Sequence, residues 1–157
     1  MEGKVCCFIG HRKIEKNSVL KKRIVLYLDK LISQEGIDTF LFGSKSDFNN
    51  FCYEIVTEMK IKYPHIKRVY VRAEYPYINS DYERYLLEKY ECSYYPEKIL
   101  NSGKLCYVER NFEMIDNSRF CVFYYDDRIS ERRKSGTRIA WRYSVKKQKE
   151  IYNVFEL

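Results

Sequence analysis

Short apolar segments alternate with longer segments of helical periodicity along almost the whole chain, and this restricts the folds that the chain can adopt. Residues 4–9, 38–42 and 120–125 are largely apolar, and stretches with apolar positions at helical spacing separate them. Strands of this kind are typical of a parallel sheet with helices on both faces. The sequence therefore predicts an α/β fold with a mainly parallel sheet.

Capping and turn residues divide the chain into further elements. Asn17 or Ser18 can cap a first helix that ends at Gly36, and a second helix follows the loop 43–47 and ends before Pro64. Additional strands are predicted at 67–73, 92–95 and 151–155, and additional helices at 80–90, 105–118 and 136–149. No repeat, low-complexity segment or linker interrupts this series, so a single domain spanning residues 1–157 is predicted.

The composition is that of an ordinary globular protein, with 45% hydrophobic and 32% charged residues. No run of about 18 apolar residues is present, so no membrane span is predicted. Residues 1–5 lead directly into a strand-like segment without the apolar region of a signal peptide. We therefore expect a cytoplasmic protein with no membrane partner.

Six cysteines raise the question of disulfides or a metal site, and the sequence favours neither. Cys6, Cys52 and Cys121 lie within apolar segments, where a free thiol acts as a small hydrophobic residue. No C-x-x-C pair occurs, and His11 and His65 have no partner at metal-ligand spacing. We expect no metal site and no cofactor.

The formal net charge of +7 fits two classes of partner, nucleic acid and phosphorylated small molecules. Basic residues are interleaved with acidic ones, and no block of about five or six like charges appears, which is typical of solvated helix faces. The sixteen tyrosines could stack on bases, but tyrosine is also common in strands and at half-buried positions. The charge alone does not choose between the two classes.

Three glycine-bearing loops follow predicted strands and are expected to meet at one edge of the sheet. They contain Gly10-His11-Arg12, Gly43-Ser44-Lys45-Ser46 and Ser135-Gly136-Thr137. The carboxyl ends of parallel strands share an edge, where α/β proteins bind ligands. The third loop begins a helix, whose free N–H groups and positive dipole end favour phosphates and carboxylates. None of the loops is a complete G-x-G-x-x-G or G-x-x-x-x-G-K-[ST] motif, so an anion site of no standard type is predicted.

Several charged residues near these loops are candidates for binding or catalysis. Arg12 and Arg110 can form bidentate contacts with a phosphate or carboxylate, and either could instead be a surface charge. His11 could act as a general acid or base or bind phosphate, or could simply occupy a turn. Asp126 and Asp127 could bind a ribose hydroxyl or a metal, although adjacent aspartates in a loop are usually solvated.

Three motifs resemble those of a known family. Residues 6–12, CCFIGHR, are similar to the C-C-F-T-G-H-R opening of the YpsA-like branch of the SLOG superfamily. Residues 110–118 resemble its R-N-x-x-M-V-D-N-S segment, and Ser135-Gly136-Thr137 followed by Ala140 resembles its S-G-G-T-x-x-A helix start. The order and spacing of these motifs agree along nearly all of the chain.

This resemblance implies a Rossmann-like three-layer sandwich and a site for nucleotides or nucleotide-derived molecules. Related proteins often form dimers, so a homodimer is one alternative, although no feature of the sequence marks an interface. Together with the residues of the glycine-bearing loops, the motifs give the following predicted ligand contacts: Gly10, His11, Arg12, Gly43, Ser44, Arg110, Asn111, Asp116, Ser135, Gly136 and Thr137.

The chain departs from the family pattern at two places. Residues 43–47 keep one of the two glycines of the family's G-x-A-x-G-x-D loop, so we expect an altered pocket. The superfamily's cytokinin-activating phosphoribohydrolases carry a carboxylate two or three residues after Gly-Thr, where this chain has Ile139 and Ala140. The second departure argues against that hydrolysis.

Three functions compete at this point. We favour a sensor or sequestering module for a nucleotide-derived ligand, because three anion-ready loops have no obvious catalytic pair beside them. An enzyme acting on a nucleotide N-glycosidic bond is the alternative, with Asp47, Asp116 or Glu113 as the catalytic carboxylate. Nucleic-acid binding through the basic, tyrosine-rich surface ranks third.

Overall fold

The computed structural model describes residues 2–101, 103–128 and 136–155. Its strands are β1 (Val5–Gly10), β2 (Thr39–Phe42), β3 (Lys67–Val71), β4 (Cys92–Tyr94), β5 (Phe120–Tyr124) and β6 (Glu150–Asn153). Its α-helices are α1 (Ser18–Glu35), α2 (Asp47–Lys62), α3 (Ser80–Lys89), α4 (Leu105–Asp116) and α5 (Gly136–Lys146), and a 3-10 turn at Glu2–Lys4 precedes β1. The strands form one sheet in the order β4-β3-β2-β1-β5-β6, in which every neighbouring pair is parallel.

Helices cover both faces of this sheet. On one face, the apolar sides of α1 and α2 pack against Phe8, Phe40 and Phe42. On the other face, Ile115 of α4 and Ala140 of α5 belong to the cluster that contains Ile9. Adjacent residues of a strand point to opposite faces, which is why the neighbours Phe8 and Ile9 belong to different clusters. The predicted α/β fold is confirmed as a Rossmann-like three-layer sandwich.

Local sequence signals account for most helix ends. Asn17 Oδ1 accepts a 2.8 Å hydrogen bond from the backbone N–H of Leu20 and caps α1. The helix ends at Gly36, whose φ of 70° is the left-handed conformation that glycine adopts without steric cost. At the other end of the chain, α5 stops at Lys146, three residues earlier than predicted, because the backbone turns into the left-handed region at Gln148.

The order of the strands places a topological switch point between β1 and β5. From β1 the chain builds β2, β3 and β4 on one side, and it then crosses to build β5 and β6 on the other side. Gly10, the last residue of β1, lies opposite Tyr124, the last residue of β5. Loops that leave such neighbouring strands diverge and open a crevice, which is the usual ligand site of an open α/β sheet.

The described residues contain free thiols but neither a membrane-spanning helix nor a cluster of metal ligands. None of their helices is both long and apolar enough to cross a membrane. The six cysteines all fall within this part of the chain as free thiols, and only Cys92 is exposed among them. No group of three histidine, cysteine, aspartate or glutamate side chains in the described ranges is arranged to hold a metal ion.

Candidate functional site

A cleft of about 810 Å³ lies at the carboxyl ends of β1, β2 and β3, and we call it the main cleft. Its volume falls within the range of small-molecule sites. The strands contribute Phe8, Ile9, Gly10 and Tyr70. The loops that follow them contribute His11, Arg12, Lys13, Gly43, Ser44, Lys45, Ser46 and Glu74. The helices contribute Asn49, Tyr107, Arg110, Asn111, Met114, Gly136 and Thr137.

Two glycines allow side chains to pack tightly against the floor of the main cleft. A Cβ atom on Gly10 would lie 2.4 Å from the ring of Phe48. A Cβ atom on Gly43 would lie 2.6 Å from Met114 Sδ and 2.8 Å from Arg110 Cδ. Real Cβ atoms do not approach other atoms this closely, so any larger residue would displace these neighbours. Gly43 therefore lets the side chain of Arg110 cross the end of β2.

A side chain from α2 fixes the ends of β1 and β2 relative to each other. Asn49 Nδ2 donates a 3.1 Å hydrogen bond to the carbonyl of Phe8, and Asn49 Oδ1 accepts a 3.1 Å hydrogen bond from the N–H of Gly43. The N-cap residue of the same helix, Ser46, accepts the N–H of Asn49 at 3.1 Å. Both buried polar ends of the amide are thus satisfied, and the floor of the cleft is held rigidly.

Arg110 is the buried cation of the main cleft. Only 6% of the residue is exposed, and burial lowers the pKa of its guanidinium, which nevertheless stays protonated near neutral pH. Its hydrogen bonds are two long ones to Asn111 Oδ1, 3.4 Å from Nε and 3.3 Å from Nη2, and its guanidinium carbon lies 5.5 Å from the ring centroid of Tyr107. No carboxylate among the described residues forms an ion pair with it. A buried charge in this state is costly, and an anion in the cleft would relieve the cost.

The rest of the lining adds to the positive potential. Arg12, Lys13 and Lys45 join Arg110, whereas Glu74 is the one carboxylate among the described lining residues. Two helix N-termini also reach the cleft, since Ser46 caps α2 and Thr137 lies in the first turn of α5. Unpaired N–H groups and a positive partial charge at such ends attract anions. The electrostatics of the main cleft therefore favour a negatively charged ligand.

His11 joins the end of β1 to the end of β5. Its Nε2 accepts a 2.8 Å hydrogen bond from the backbone N–H of Asp126, and the backbone N–H of His11 donates to the carbonyl of Tyr124 at 3.3 Å. Burial lowers the pKa of His11, in keeping with a deprotonated Nε2 that accepts a hydrogen bond. Asp126 is buried rather than solvated, because its carboxylate receives Nε and Nη2 of Arg128, both at 2.9 Å. The neutral imidazole of His11 thus holds the loops after β1 and β5 together at the edge of the cleft.

The structure brings together predicted ligand contacts from distant parts of the sequence. The main cleft contains Gly10, His11, Arg12, Gly43, Ser44, Arg110, Asn111, Gly136 and Thr137. Ser135 lies outside the described residues.

Asp116, by contrast, does not line the main cleft. It is the last residue of α4, before the three-residue turn that leads into β5, and so lies at the opposite edge of the sheet, six residues or about 9 Å along the helix axis from Arg110. Lys98 Nζ lies 2.6 Å from its Oδ2, and the hydroxyl of Tyr143 donates to both carboxylate oxygens at 2.8 and 2.9 Å. Burial alone would raise the pKa of Asp116, but these hydrogen bonds outweigh it and lower the pKa.

The other two candidate catalytic carboxylates are also absent from the lining. Glu113 accepts a 3.2 Å hydrogen bond from the hydroxyl of Tyr94 and pairs with Lys98 at 3.2 Å. Asp47 begins α2 and donates its backbone N–H to the carbonyl of Arg12 at 2.8 Å, which holds the loop after β1 in place. The carboxylate that lines the main cleft therefore comes from another part of the chain.

Glu74 supplies that carboxylate, and it is not among the site residues predicted from the sequence. It adopts a φ of 73°, an uncommon conformation for a residue with a side chain, and the hydroxyl of Tyr107 donates a hydrogen bond to its Oε1. This bond is the main reason that the pKa of Tyr107 rises to about 12. One signal was present in the sequence, because Glu74 follows β3 and so falls at the same edge as the three glycine-bearing loops.

The main cleft is thus a basic, partly aromatic site at the carboxyl edge of the sheet, beside the switch point. No model of a known protein family matches the chain, and no curated protein matches it in sequence.

Proposed function

We propose that this protein binds a nucleotide or nucleotide-derived small molecule in the main cleft. The observation that carries the proposal is the guanidinium of Arg110, which is buried in the wall of the cleft without an ion pair from any described carboxylate. A phosphate group is the natural partner for such a group, because it can accept bidentate hydrogen bonds from a guanidinium. The first turn of α5 and the loop that contains Arg12 supply further donors to the same phosphate.

Two features favour a nucleotide over a small inorganic anion. The main cleft holds about 810 Å³, far more space than one phosphate occupies, and Tyr70 and Tyr107 contribute aromatic surface to its wall. The resemblance of residues 6–12 and 110–118 to the YpsA-like branch of the SLOG superfamily supports the same class of ligand. We assign the protein a role as a sensor or sequestering module for such a molecule.

A thermal-shift panel with AMP, ADP, ADP-ribose, NAD, cyclic ADP-ribose and a short RNA tests the proposal. A ligand at a hundredfold over its dissociation constant stabilises the folded state by about 2.7 kcal/mol, which raises the melting temperature by several degrees for a domain of this size. We expect such a rise with at least one nucleotide and its loss in Arg110→Met. The matched control is Arg142→Met, because Arg142 is exposed on α5 and does not line the cleft.

Two results of this panel contradict the proposal. A rise with RNA alone, weakened steeply by salt, identifies the basic surface as a nucleic-acid site. An identical nucleotide response in wild type and Arg110→Met places binding outside the main cleft.

A second candidate function, hydrolysis of a nucleotide N-glycosidic bond, is favoured by the position of Glu74. In this reaction water adds to the anomeric carbon, the bond from that carbon to the base nitrogen breaks, and the base leaves with a proton. A carboxylate beside the sugar stabilises the oxocarbenium-like transition state, and Glu74 is the one described carboxylate in the main cleft. Its hydrogen bond from Tyr107 and its unusual backbone conformation hold it at the wall.

Chromatographic detection of free base from nucleoside monophosphates separates the two candidates. Hydrolysis requires base release by the wild type and its loss in Glu74→Gln, which keeps the side-chain size and removes the charge. Glu113→Gln is the matched control, because Glu113 lies outside the cleft. Nucleotide binding without base release leaves the binding module as the function.

A further inference from the structure

A second, smaller pocket opens beside the main cleft, and every aromatic side chain among its described lining residues is a tyrosine. It has a volume of about 360 Å³ and shares Lys45, Tyr70, Glu74, Tyr107 and Arg110 with the main cleft. Tyr75, Tyr77 and Tyr82 line this pocket and not the main cleft. We call it the tyrosine pocket. Because five residues line both spaces, one ligand can extend from the first into the second.

We infer that the tyrosine pocket holds the nucleobase of the ligand whose phosphate binds in the main cleft. This inference rests on the function proposed above and assigns a separate subsite to each part of the nucleotide. The phosphate lies against Arg110, at the boundary of the two spaces, and against Arg12 and Lys13 of the main cleft. The ribose passes the shared wall at Glu74 and Tyr107, and the base enters among the tyrosines.

The exposed rings at the rim of the tyrosine pocket carry this assignment. Tyr75 is 66% exposed and Tyr77 is 91% exposed, both in the loop between β3 and α3. An aromatic ring left in water beside a concave surface gains free energy when a flat apolar group covers it. Every nucleobase has such a flat π-face, and stacking on aromatic side chains contributes substantially to nucleotide affinity.

The back wall of the pocket is built to stay in place. Tyr70 lies near the end of β3, its ring centroid is 5.2 Å from that of Tyr90, and burial is the main cause that raises its pKa to about 12. Its hydroxyl is therefore neutral near pH 7 and can hydrogen-bond a base edge. Asn79 caps α3 by accepting the N–H of Tyr82 at 2.8 Å, which fixes the start of the helix beside the pocket. A preformed wall of this kind lowers the ordering cost of binding.

The lining of the tyrosine pocket combines five tyrosines with one carboxylate and three cations. The carboxylate is Glu74, and the cations are Lys45, Arg72 and Arg110. A phosphate placed there would meet the Glu74 carboxylate and aromatic carbon as well as these cations. A base offers N–H donors to the carboxylate, oxygen or ring-nitrogen acceptors to the cations and a π-face to the rings, so it has a partner for each part of the pocket.

Isothermal titration calorimetry with ribose 5-phosphate and the four common nucleoside 5′-monophosphates tests the inference. We expect at least one monophosphate to bind wild type at least ten-fold more tightly than ribose 5-phosphate does, because only the nucleotide carries a base. In Tyr77→Ala and Tyr75→Ala, the affinity for that nucleotide should fall about five-fold or more, and the affinity for ribose 5-phosphate should not change. Tyr85→Ala is the matched control, because Tyr85 is also an exposed tyrosine but lines neither space.

The outcomes separate this inference from the proposed function. Equal affinities for ribose 5-phosphate and all four nucleotides, or nucleotide affinities unchanged in both tyrosine variants, overturn the base subsite and leave the phosphate site intact. An absence of binding for all five compounds overturns the subsite, and together with a thermal-shift panel that shows no response to any nucleotide it overturns the proposed function as well. Equal losses in Tyr77→Ala and Tyr85→Ala also overturn the subsite, because a residue outside the pocket would then have the same effect.

Discussion

Two charged residues of α4, one in the middle of the helix and one at its end, are in opposite states. Arg110 is buried near the carboxyl edge of the sheet, where no described carboxylate pairs with it. Asp116, six residues later, is surrounded by Lys98, Tyr143 and Lys147, with the last of these at 4.0 Å. One helix therefore presents an unneutralised charge to the main cleft and a neutralised charge to the opposite edge.

This difference separates residues that stabilise the fold from residues that are available to a ligand. A charge that is already hydrogen-bonded and ion-paired contributes to stability, and it has little capacity left for another partner. A charge buried without a counter-ion lowers stability until an anion arrives. We therefore expect substitutions at Arg110 to change binding, and substitutions at Asp116 to change the free energy of unfolding.

Arg110→Met should produce the largest change. We expect the affinity for the nucleotide found in the thermal-shift panel to fall about 30-fold or more, because truncating one partner of a buried charge pair costs about 2 kcal/mol or more. The free energy of unfolding without ligand should stay equal or rise, since methionine removes an unpaired buried cation. Calorimetry and urea unfolding measure the two quantities. A large loss of stability without ligand would show that Arg110 is structural.

Gly43→Ala should have the next largest effect, because the added Cβ meets Arg110 and Met114. We expect a loss of about 1–3 kcal/mol in the free energy of unfolding, together with weaker nucleotide binding as Arg110 is displaced. Gly136→Ala is the matched control, since a Cβ there has no atom within 4 Å and Gly136 also lines the cleft. Similar stability losses in both variants would contradict the close packing at Gly43.

Asp116→Asn tests the neutralised charge at the end of α4. The substitution removes the charge that holds Lys98 and Tyr143, and we expect urea unfolding to show a loss of about 1 kcal/mol with nucleotide affinity unchanged. Asp81→Asn serves as the control, because the side chain of Asp81 is 90% exposed and its ion pair with Arg84 is long, at 3.8 Å. A loss of nucleotide affinity in Asp116→Asn would show that Asp116 contributes to ligand binding.

The fold could be predicted from sequence because its signals are local. The apolar strands, the cap at Asn17 and the glycine stop at Gly36 each depend on a few adjacent residues, and the structure has them where they were predicted. The lengths of strands depend instead on their neighbours. The strand β3 ends at Val71, two residues earlier than predicted, because its partner β4 ends opposite it at Tyr94.

The site could be predicted only in part, because its members are brought together by tertiary packing. The rule for parallel sheets was enough to place the three glycine-bearing loops at one edge. It did not indicate that α4 places Arg110 at that edge and Asp116 away from it, because the two residues lie only six positions apart in one segment of the sequence, 110–118. Glu74 was missed for a similar reason, since a loop without glycine drew no attention although it follows β3.

The smallest expected effect concerns His11, which supports the edge of the main cleft without a net charge. Because burial lowers its pKa below the ordinary value of 6.5, the unfolded chain binds a proton at a higher pH than the folded protein does. The stabilisation from neutral His11 is therefore complete above about pH 6.5 and is lost as the pH falls below this value, by at most about 1.4 kcal/mol per pH unit.

His11→Gln should remove this dependence and keep an acceptor for the N–H of Asp126. We expect urea unfolding of the variant to give nearly equal free energies at pH 7.5 and pH 5.5, whereas wild type loses stability over the same interval. The matched control is His65→Gln, which removes the other histidine, exposed in the turn before β3, and should keep the wild-type dependence. Wild-type behaviour in His11→Gln would mean that the acidic loss of stability arises elsewhere. If the free energy of unfolding is independent of pH in His11→Gln alone, the acidic loss of stability in wild type comes from the imidazole of His11, which joins the ends of β1 and β5.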